Sequence, residues 1–268
     1  MCTRSLAGAA ALLLALVASA HAATTPPGVN LRWDQCYDDG GAMNKAFACD
    51  TNSGSERLVC SFVLDSPMSD VSGHEVVVDV IAAGATLPAW WAFKNIGSCR
   101  QGSLSQPLTL PPASVNCVDW ADGFAMGGIG AYNLGVFGPS SARIVAVSAV
   151  PATNLASLAA NVEYFSMSLV INHAKTVGTG SCAGCDVPVC ILFQSINVVT
   201  PVAANTRKLY QGANGQASQI ALWQNARATN VTLNCPPLRP CETTFGCTVF
   251  DPTDTRSSTW GAVKALYR

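Results

Sequence analysis

Short stretches in which apolar and polar residues alternate predict that this chain is built from β-strands. In residues 74–82, Val76, Val78 and Val80 fall on one face of an extended chain and Asp79 falls on the other. Further strands are predicted for residues 30–33, 143–150, 162–172 and 189–200. Clusters of Gly, Pro, Asn and Ser, which favour turns, separate these stretches.

The stretch 162–172 has the pattern of a strand with one face in a core. The predicted buried face consists of Phe165, Met167, Leu169 and Ile171, and the opposite face includes Tyr164, Ser166 and Ser168. Alternation of this kind is typical of antiparallel sheets, one side of which faces water. We therefore expect Ser168 to lie on the solvent side.

No segment between these strands shows a clean helical period, so parallel βαβ units are disfavoured. The sequence predicts an all-β fold, a two-sheet antiparallel β-sandwich over residues 23–200. Residues 201–256 are polar and rich in Cys and Pro, which indicates a loop-rich, disulfide-pinned C-terminal extension. Residues 257–268 place Trp260, Val263 and Leu266 on one face of a short C-terminal amphipathic helix.

The first residues are typical of a signal peptide over 1–22. A positive Arg4 precedes the apolar run 6–18, and Ala20-His21-Ala22 has the small-x-small form of a cleavage site. The apolar run is shorter than the about 20 residues that a membrane-spanning helix needs. We expect cleavage after Ala22 and a secreted protein, periplasmic or extracellular, without a membrane span.

The chain has 12 cysteines, of which all but Cys2 lie beyond the predicted cleavage site. In an exported protein this density indicates a disulfide framework of five bonds with one free thiol. Cys60 lies in an apolar strand pattern, and we predict that it is the free one. The predicted disulfide cysteines are Cys36, Cys49, Cys99, Cys117, Cys182, Cys185, Cys190, Cys235, Cys241 and Cys247.

Two disulfide pairings are expected from proximity along the chain, Cys36 with Cys49 and Cys99 with Cys117. The last six cysteines form two triplets, and complete pairing of triplets requires a bond between them. At least one disulfide should therefore join the 182–190 loop to the 235–247 segment.

Residues 50–56 space oxygen-bearing side chains as calcium loops do, with Asp50, Asn52 and Glu56 as candidate ligands. A full calcium loop carries a bidentate Glu at its twelfth position, where this chain has Ser61. An Asx-rich turn is the alternative interpretation. The sequence therefore predicts no cofactor other than this candidate structural Ca²⁺.

Trp90 and Trp91 are the candidate ligand-binding residues, because flat aromatic rings on a sandwich face can stack on sugars. Core packing is the alternative for both rings. A glycan or another cell-surface molecule is the partner that this hypothesis implies. With Lys+Arg 15 against Asp+Glu 16 the chain has no basic surface for nucleic acid.

A secreted hydrolase that uses paired carboxylates is the competing hypothesis. Its candidate acids are Asp34, Asp38 with Asp39, and Asp119 with Asp122, although acids in Gly-rich loops more often stabilise turns. The histidines beyond the signal peptide are His74 and His173, and there is no G-x-S-x-G elbow. Gly128-Ile129-Gly130 begins like a dinucleotide fingerprint, but it lacks the third glycine and a following helix.

Five motifs beyond the predicted cleavage site resemble those of a known protein family. They are GVNLRW at 28–33 with Cys36, FACDTN at 47–52, LPAWWAF at 87–93, INHAKTVGTGSCAGC at 171–185 and WGAVKALYR at 260–268. Together they resemble a family of uncharacterised secreted, cysteine-rich proteins from uncultivated bacteria, which implies no activity, ligand or catalytic residue. The strand rhythm of residues 74–200 is also similar to that of cohesin-like and carbohydrate-binding sandwiches. We expect an exported, non-catalytic β-sandwich with a binding or structural role at the cell surface or in the medium.

Overall fold

A computed structural model describes residues 27–213, 216–234 and 242–249 of the chain. The strands are β1 (Gly28–Trp33), β2 (Asn44–Lys45), β3 (Ser55–Val63), β4 (Met68–Val71), β5 (Gly73–Ala82), β6 (Leu104–Ser105), β7 (Val118–Asp119), β8 (Met126–Leu134), β9 (Ser141–Ala149), β10 (Ala156–Leu158), β11 (Glu163–Asn172), β12 (Val189–Val199), β13 (Arg207–Leu209), β14 (Ile220–Trp223), β15 (Ala226–Asn234) and β16 (Glu242–Val249). Short 3₁₀ turns occur at Ala89–Trp91, Ala152–Asn154, Ala203–Asn205 and Gln216–Gln219. Among the described residues, no helix is long and apolar enough to cross a membrane.

Two sheets form the body of the protein and confirm the all-β sandwich. The first is five-stranded, in the order β1-β3-β11-β6 with β7 beside β11. The second is seven-stranded, in the order β2-β14-β12-β5-β9-β8 with β13 beside β12. Strand pairs are antiparallel except for β7 with β11 and β2 with β14, which are parallel. Two-stranded sheets, β4 with β10 and β15 with β16, complete the architecture.

The core lies between the two sheets, as the period of two requires. Leu58 and Phe62 of β3 and Leu169 of β11 face Val78 of β5 and Phe193 of β12 in one buried cluster. Burial of a side chain of this size stabilises the fold by about 1.5–3 kcal/mol. The apolar positions predicted for residues 74–82 and 162–172 therefore hold the sandwich together.

The predicted buried face of β11 is partly wrong, because the strand contains a β-bulge. Pairing with β3 shifts between Phe165 and Met167, so Phe165 packs in a second cluster with Val59 and the Cys36–Cys117 disulfide. All four predicted residues of this face are buried, but Phe165 lies on the outer side of the sheet. An extra residue in one strand rotates the following side chains, and no period in the sequence reveals it.

The outer side of β11 is also covered, which contradicts the expected solvent exposure of Ser168. The Ser168 side chain is fully buried, accepts a hydrogen bond from Arg57 Nη1, and its backbone N–H donates to Pro107 O. The segment around Pro107 therefore covers a face that the sequence pattern assigned to water.

Four disulfides are present among the described residues: Cys36–Cys117, Cys49–Cys185, Cys99–Cys182 and Cys190–Cys247. The predicted pairs Cys36–Cys49 and Cys99–Cys117 are wrong, because each of these cysteines pairs with a partner distant in sequence. The predicted bond between the last two triplets is confirmed by Cys190–Cys247, and Cys60 is free and buried as predicted. Cys235 and Cys241 lie outside the described residues, so the count of five stays a prediction.

The second sheet continues past the predicted domain boundary at residue 200. β13 and β14 both pair with β12, and the β15–β16 hairpin is tied to β12 by the Cys190–Cys247 disulfide. Part of 201–256 is therefore sheet and hairpin, where the composition predicted loops. The predicted signal peptide 1–22 and the predicted helix 257–268 lie outside the described residues.

Candidate functional site

The tryptophans expected to bind a ligand belong to the core. Trp90 and Trp91 are at most 1% exposed, and their rings pack at 5.4 Å and 5.6 Å from the ring of Trp223. Trp90 Nε1 donates a hydrogen bond of 3.0 Å to Thr176 Oγ1. The pair ends the 3₁₀ turn Ala89–Trp91, so both rings point inward, whereas neighbours in a strand would point to opposite faces. Neither ring is available to stack on a sugar.

A buried cation lies against this aromatic cluster. The Arg100 guanidinium carbon is 3.6 Å from the Trp90 ring centroid, and the residue is 1% exposed. Arg100 donates hydrogen bonds to Trp90 O and Asn172 O, and no salt bridge within the described part of the chain involves it. Burial lowers the pKa of Arg100 to about 10. The cation–π contact and the two carbonyls take the place of a carboxylate partner.

The predicted calcium ligands have separate surroundings in the structure. Asn52 Oδ1 accepts hydrogen bonds from the backbone N–H groups of Thr176 and Val177, and Asn52 Nδ2 donates to Val177 O. Glu56 forms ion pairs, and Asp50 is exposed. These contacts favour the Asx-rich alternative, a turn in which Asn52 holds a neighbouring loop, and the calcium site stays a prediction.

A charged network joins Glu56 to β2 and to the end of β11. Lys45 Nζ lies 2.9 Å from an Asp34 carboxylate oxygen and 2.8 Å from Glu56 Oε2, and Glu56 Oε1 lies 3.1 Å from His173 Nε2. The His173 ring stacks on Phe47 with 3.8 Å between centroids. Burial acts to lower the pKa of Lys45, but hydrogen bonds to Glu56 and Asp34 outweigh it and raise that pKa.

Further carboxylates proposed for a hydrolase hold loops in place. Asp39 accepts hydrogen bonds from the backbone N–H groups of residues 115, 116 and 117, and Asp119 accepts from those of Ala121 and Gly123. Cys36, Asp39 and Cys117 also bring potential metal-ligand atoms close together. Because the two sulfurs form a disulfide, they are not available as thiolate ligands.

Two buried polar groups, which sequence reasoning did not single out as a pair, lie on either side of the first sheet. His74 is enclosed by Ser148 and Ser166, and burial lowers the pKa of His74 to about 3. Glu163 accepts hydrogen bonds from Asn30, Ser61 and two backbone N–H groups, and burial nevertheless raises the pKa of Glu163. Both groups are almost completely inaccessible to solvent, so neither lies on a surface that a ligand can reach.

The most unusual exposed surface is the edge strand β8. It ends the second sheet and pairs with β9 alone in the described protein. Exposed large apolar side chains concentrate in this strand and its neighbours; they are Phe124, Met126, Leu134, Val136, Phe137 and Val147. Residues 123–142 contain no Asp, Glu, Lys or Arg. We call β8 with Phe124 and Val147 the open edge.

The open edge lacks three features that usually protect edge strands, which are charged side chains, proline and a covering element, although a β-bulge interrupts β8 between Ile129 and Ala131. Among the described residues, two side chains donate hydrogen bonds to carbonyl groups of the open edge, Asn95 Nδ2 to Tyr132 O at 3.5 Å and Gln106 Nε2 to Val147 O at 3.1 Å. Met126 at the other end is 69% exposed. The glycine run that resembled a nucleotide fingerprint is therefore the signal that could have predicted this surface, because glycine-rich strands allow a second backbone to approach closely.

Comparison with protein-family models, with curated proteins and with solved structures gives no match for this chain. The resemblance to secreted, cysteine-rich bacterial proteins and to cohesin-like sandwiches therefore stays a prediction.

Proposed function

We propose that this chain is an exported, disulfide-stabilised β-sandwich with a non-catalytic binding role at the cell surface or in the medium, and that the open edge is its binding surface. The observation that carries this proposal is the edge itself: an uncharged, glycine-rich strand with Met126 69% and Phe124 51% exposed. Exposed strand edges bind other strands by backbone hydrogen bonds, and exposed apolar side chains add contact area.

The disulfides support the compartment in this proposal. Bonds such as Cys49–Cys185 and Cys99–Cys182 join distant parts of the chain, and such bonds persist where the environment is oxidising.

The use of the candidate acids supports binding over hydrolysis. Asp34 is held by Lys45, and Asp39 and Asp119 accept backbone hydrogen bonds. A glycan role through Trp90 or Trp91 has no support, because both rings are buried.

Site-specific photo-crosslinking in the cells that export the protein tests this proposal. A photoreactive amino acid replaces Met126, and the matched control replaces Val202, an apolar residue outside the open edge that is 59% exposed against 69% for Met126. We expect covalent protein adducts at position 126 and none at 202. Absence of adducts at 126, or equal adducts at both positions, would contradict the proposal.

A further inference from the structure

We infer that the partner of the open edge is a second copy of this chain, joined through antiparallel pairing of β8 with β8 about a twofold axis at Gly128. This inference rests on the proposed function and names the partner of the same surface. It would join two seven-stranded sheets into one continuous sheet across the dimer.

The sequence of β8 is self-complementary in this register. An antiparallel pair centred on Gly128 places Met126 of one copy opposite Gly130 of the other, and Gly127 opposite Ile129. Each bulky side chain therefore meets a glycine, while the two Gly128 residues meet at the axis. A strand of another sequence would match these positions only by coincidence.

The available space fits this register. A Cβ at Gly128 would meet no atom within 4 Å, so the face of the sheet at Gly128 is open to side chains of a second copy. Pairing between β8 and β9 shifts between Ile129 and Ala131, and Gly130 is the extra residue of this bulge. The missing side chain at Gly130 leaves room for a methionine from a neighbouring strand.

The absence of charged residues from the open edge favours a second copy of this chain as its partner. In a twofold interface each residue near the axis meets its own equivalent, so a charged edge would repel itself. Residues 123–142 carry no charge, and the charged residues that flank this stretch in the sequence are Asp122 and Arg143. The open edge can therefore pair with itself without electrostatic cost.

The surrounding apolar residues would extend the contact beyond the strand pair. Val147 lies beside Gly128 on β9 and is 43% exposed, and Phe124 precedes β8 at 51%. Side chains of this kind at an interface exclude water from the new backbone hydrogen bonds.

Sedimentation velocity of the purified full chain over a range of concentrations tests this inference. The variants are Gly128→Lys, Gly128→Glu, and Val202→Lys as the control that adds the same charge elsewhere. We expect a dimer for the wild type and for Val202→Lys, and a dissociation constant raised about tenfold or more for each Gly128 variant, because like charges meet at the axis. Circular dichroism checks that each variant is folded.

An equimolar mixture of Gly128→Lys and Gly128→Glu tests directly whether the two Gly128 positions meet at the axis. Opposite charges then meet at the axis, so we expect the mixture to dimerise where neither variant does alone. A monomeric wild type, a dimer unaffected by either Gly128 variant, or a mixture that stays monomeric would overturn the inference. Adducts to other proteins at position 126 together with a monomeric wild type would overturn the second-copy partner and leave the proposed function standing.

Discussion

The guanidinium of Arg100 lies 3.6 Å from the centre of the Trp90 ring, and both residues are buried. Arg100 follows Cys99, which is bonded to Cys182, and it donates to the carbonyl of Asn172 at the end of β11. The contact therefore fastens two loops and the aromatic cluster at one end of the sandwich. It also shows how this protein buries a charge with an aromatic ring and backbone carbonyls as its partners.

Replacement of Arg100 should destabilise the protein strongly. Arg100→Ala leaves two buried carbonyls without donors and opens a cavity beside Trp90, so we expect a loss of about 2–5 kcal/mol in the free energy of unfolding. Arg100→Lys keeps the charge but loses the planar stacking, and it should also destabilise. Arg227→Ala, at an exposed position, is the control and should change stability by less than about 0.5 kcal/mol. Urea denaturation measures all three; equal stability of the Arg100 and Arg227 variants would refute the role of this contact.

His74 should make stability depend on pH in the acid range. Its pKa falls from the ordinary value of 6.5 to about 3 on folding because the ring is buried, so the unfolded chain binds the proton more tightly. Stability should therefore decrease as pH falls from about 6.5 towards 3, by up to about 1.4 kcal/mol per pH unit.

His74→Asn removes this titration and retains a hydrogen-bonding group beside Ser148 and Ser166. Comparison of the variant with the wild type cancels the contributions of other acids such as Glu163. The pH dependence of the variant should be shallower between pH 6.5 and 3, as measured by thermal unfolding. Parallel curves for the two proteins would show that His74 is not neutral in the folded state.

The Cys190–Cys247 disulfide should stabilise the β15–β16 hairpin more than the sandwich. Replacing both cysteines by serine removes a link across 57 residues, which the chain-entropy model values at about 4 kcal/mol. We expect limited proteolysis to cleave the hairpin of this variant while the sandwich stays resistant. The matched variant without Cys49 and Cys185 loses a link between β2 and β12 regions, and its sandwich should become sensitive. Cleavage of the sandwich in the first variant and of the hairpin in the second would contradict these two disulfide pairings.

The strand pattern in the sequence was sufficient to predict β5, β9, β11 and β12, although β11 and β12 are buried on both faces over most of their length. Which faces of these strands are buried was harder to predict. The bulge at Phe165 and the loop that covers Ser168 arise from contacts with other parts of the chain. The alternation of residues within one strand does not predict such contacts.

Contacts between distant parts of the chain also determine the disulfide pairing and the surroundings of the candidate site residues. Cys49 and Cys185 are 136 residues apart, so proximity along the chain favoured the wrong partner. Trp90 and Trp91 attracted attention as a possible ligand surface, but a 3₁₀ turn directs both inward. The glycines of the open edge resemble a nucleotide motif, whereas the absence of charged residues from 123–142 is the sequence feature that indicates an unprotected edge.

Hydrogen–deuterium exchange at β8 as a function of protein concentration tests most directly whether this strand is the surface through which the protein associates. Backbone amides of residues 126–130 that do not bond to β9 should exchange fast in the dilute protein, because water reaches them. We predict that their exchange slows as concentration rises in the wild type and in Val202→Lys, and that it stays fast in Gly128→Lys. Exchange at β8 that is independent of concentration in the wild type would contradict the account.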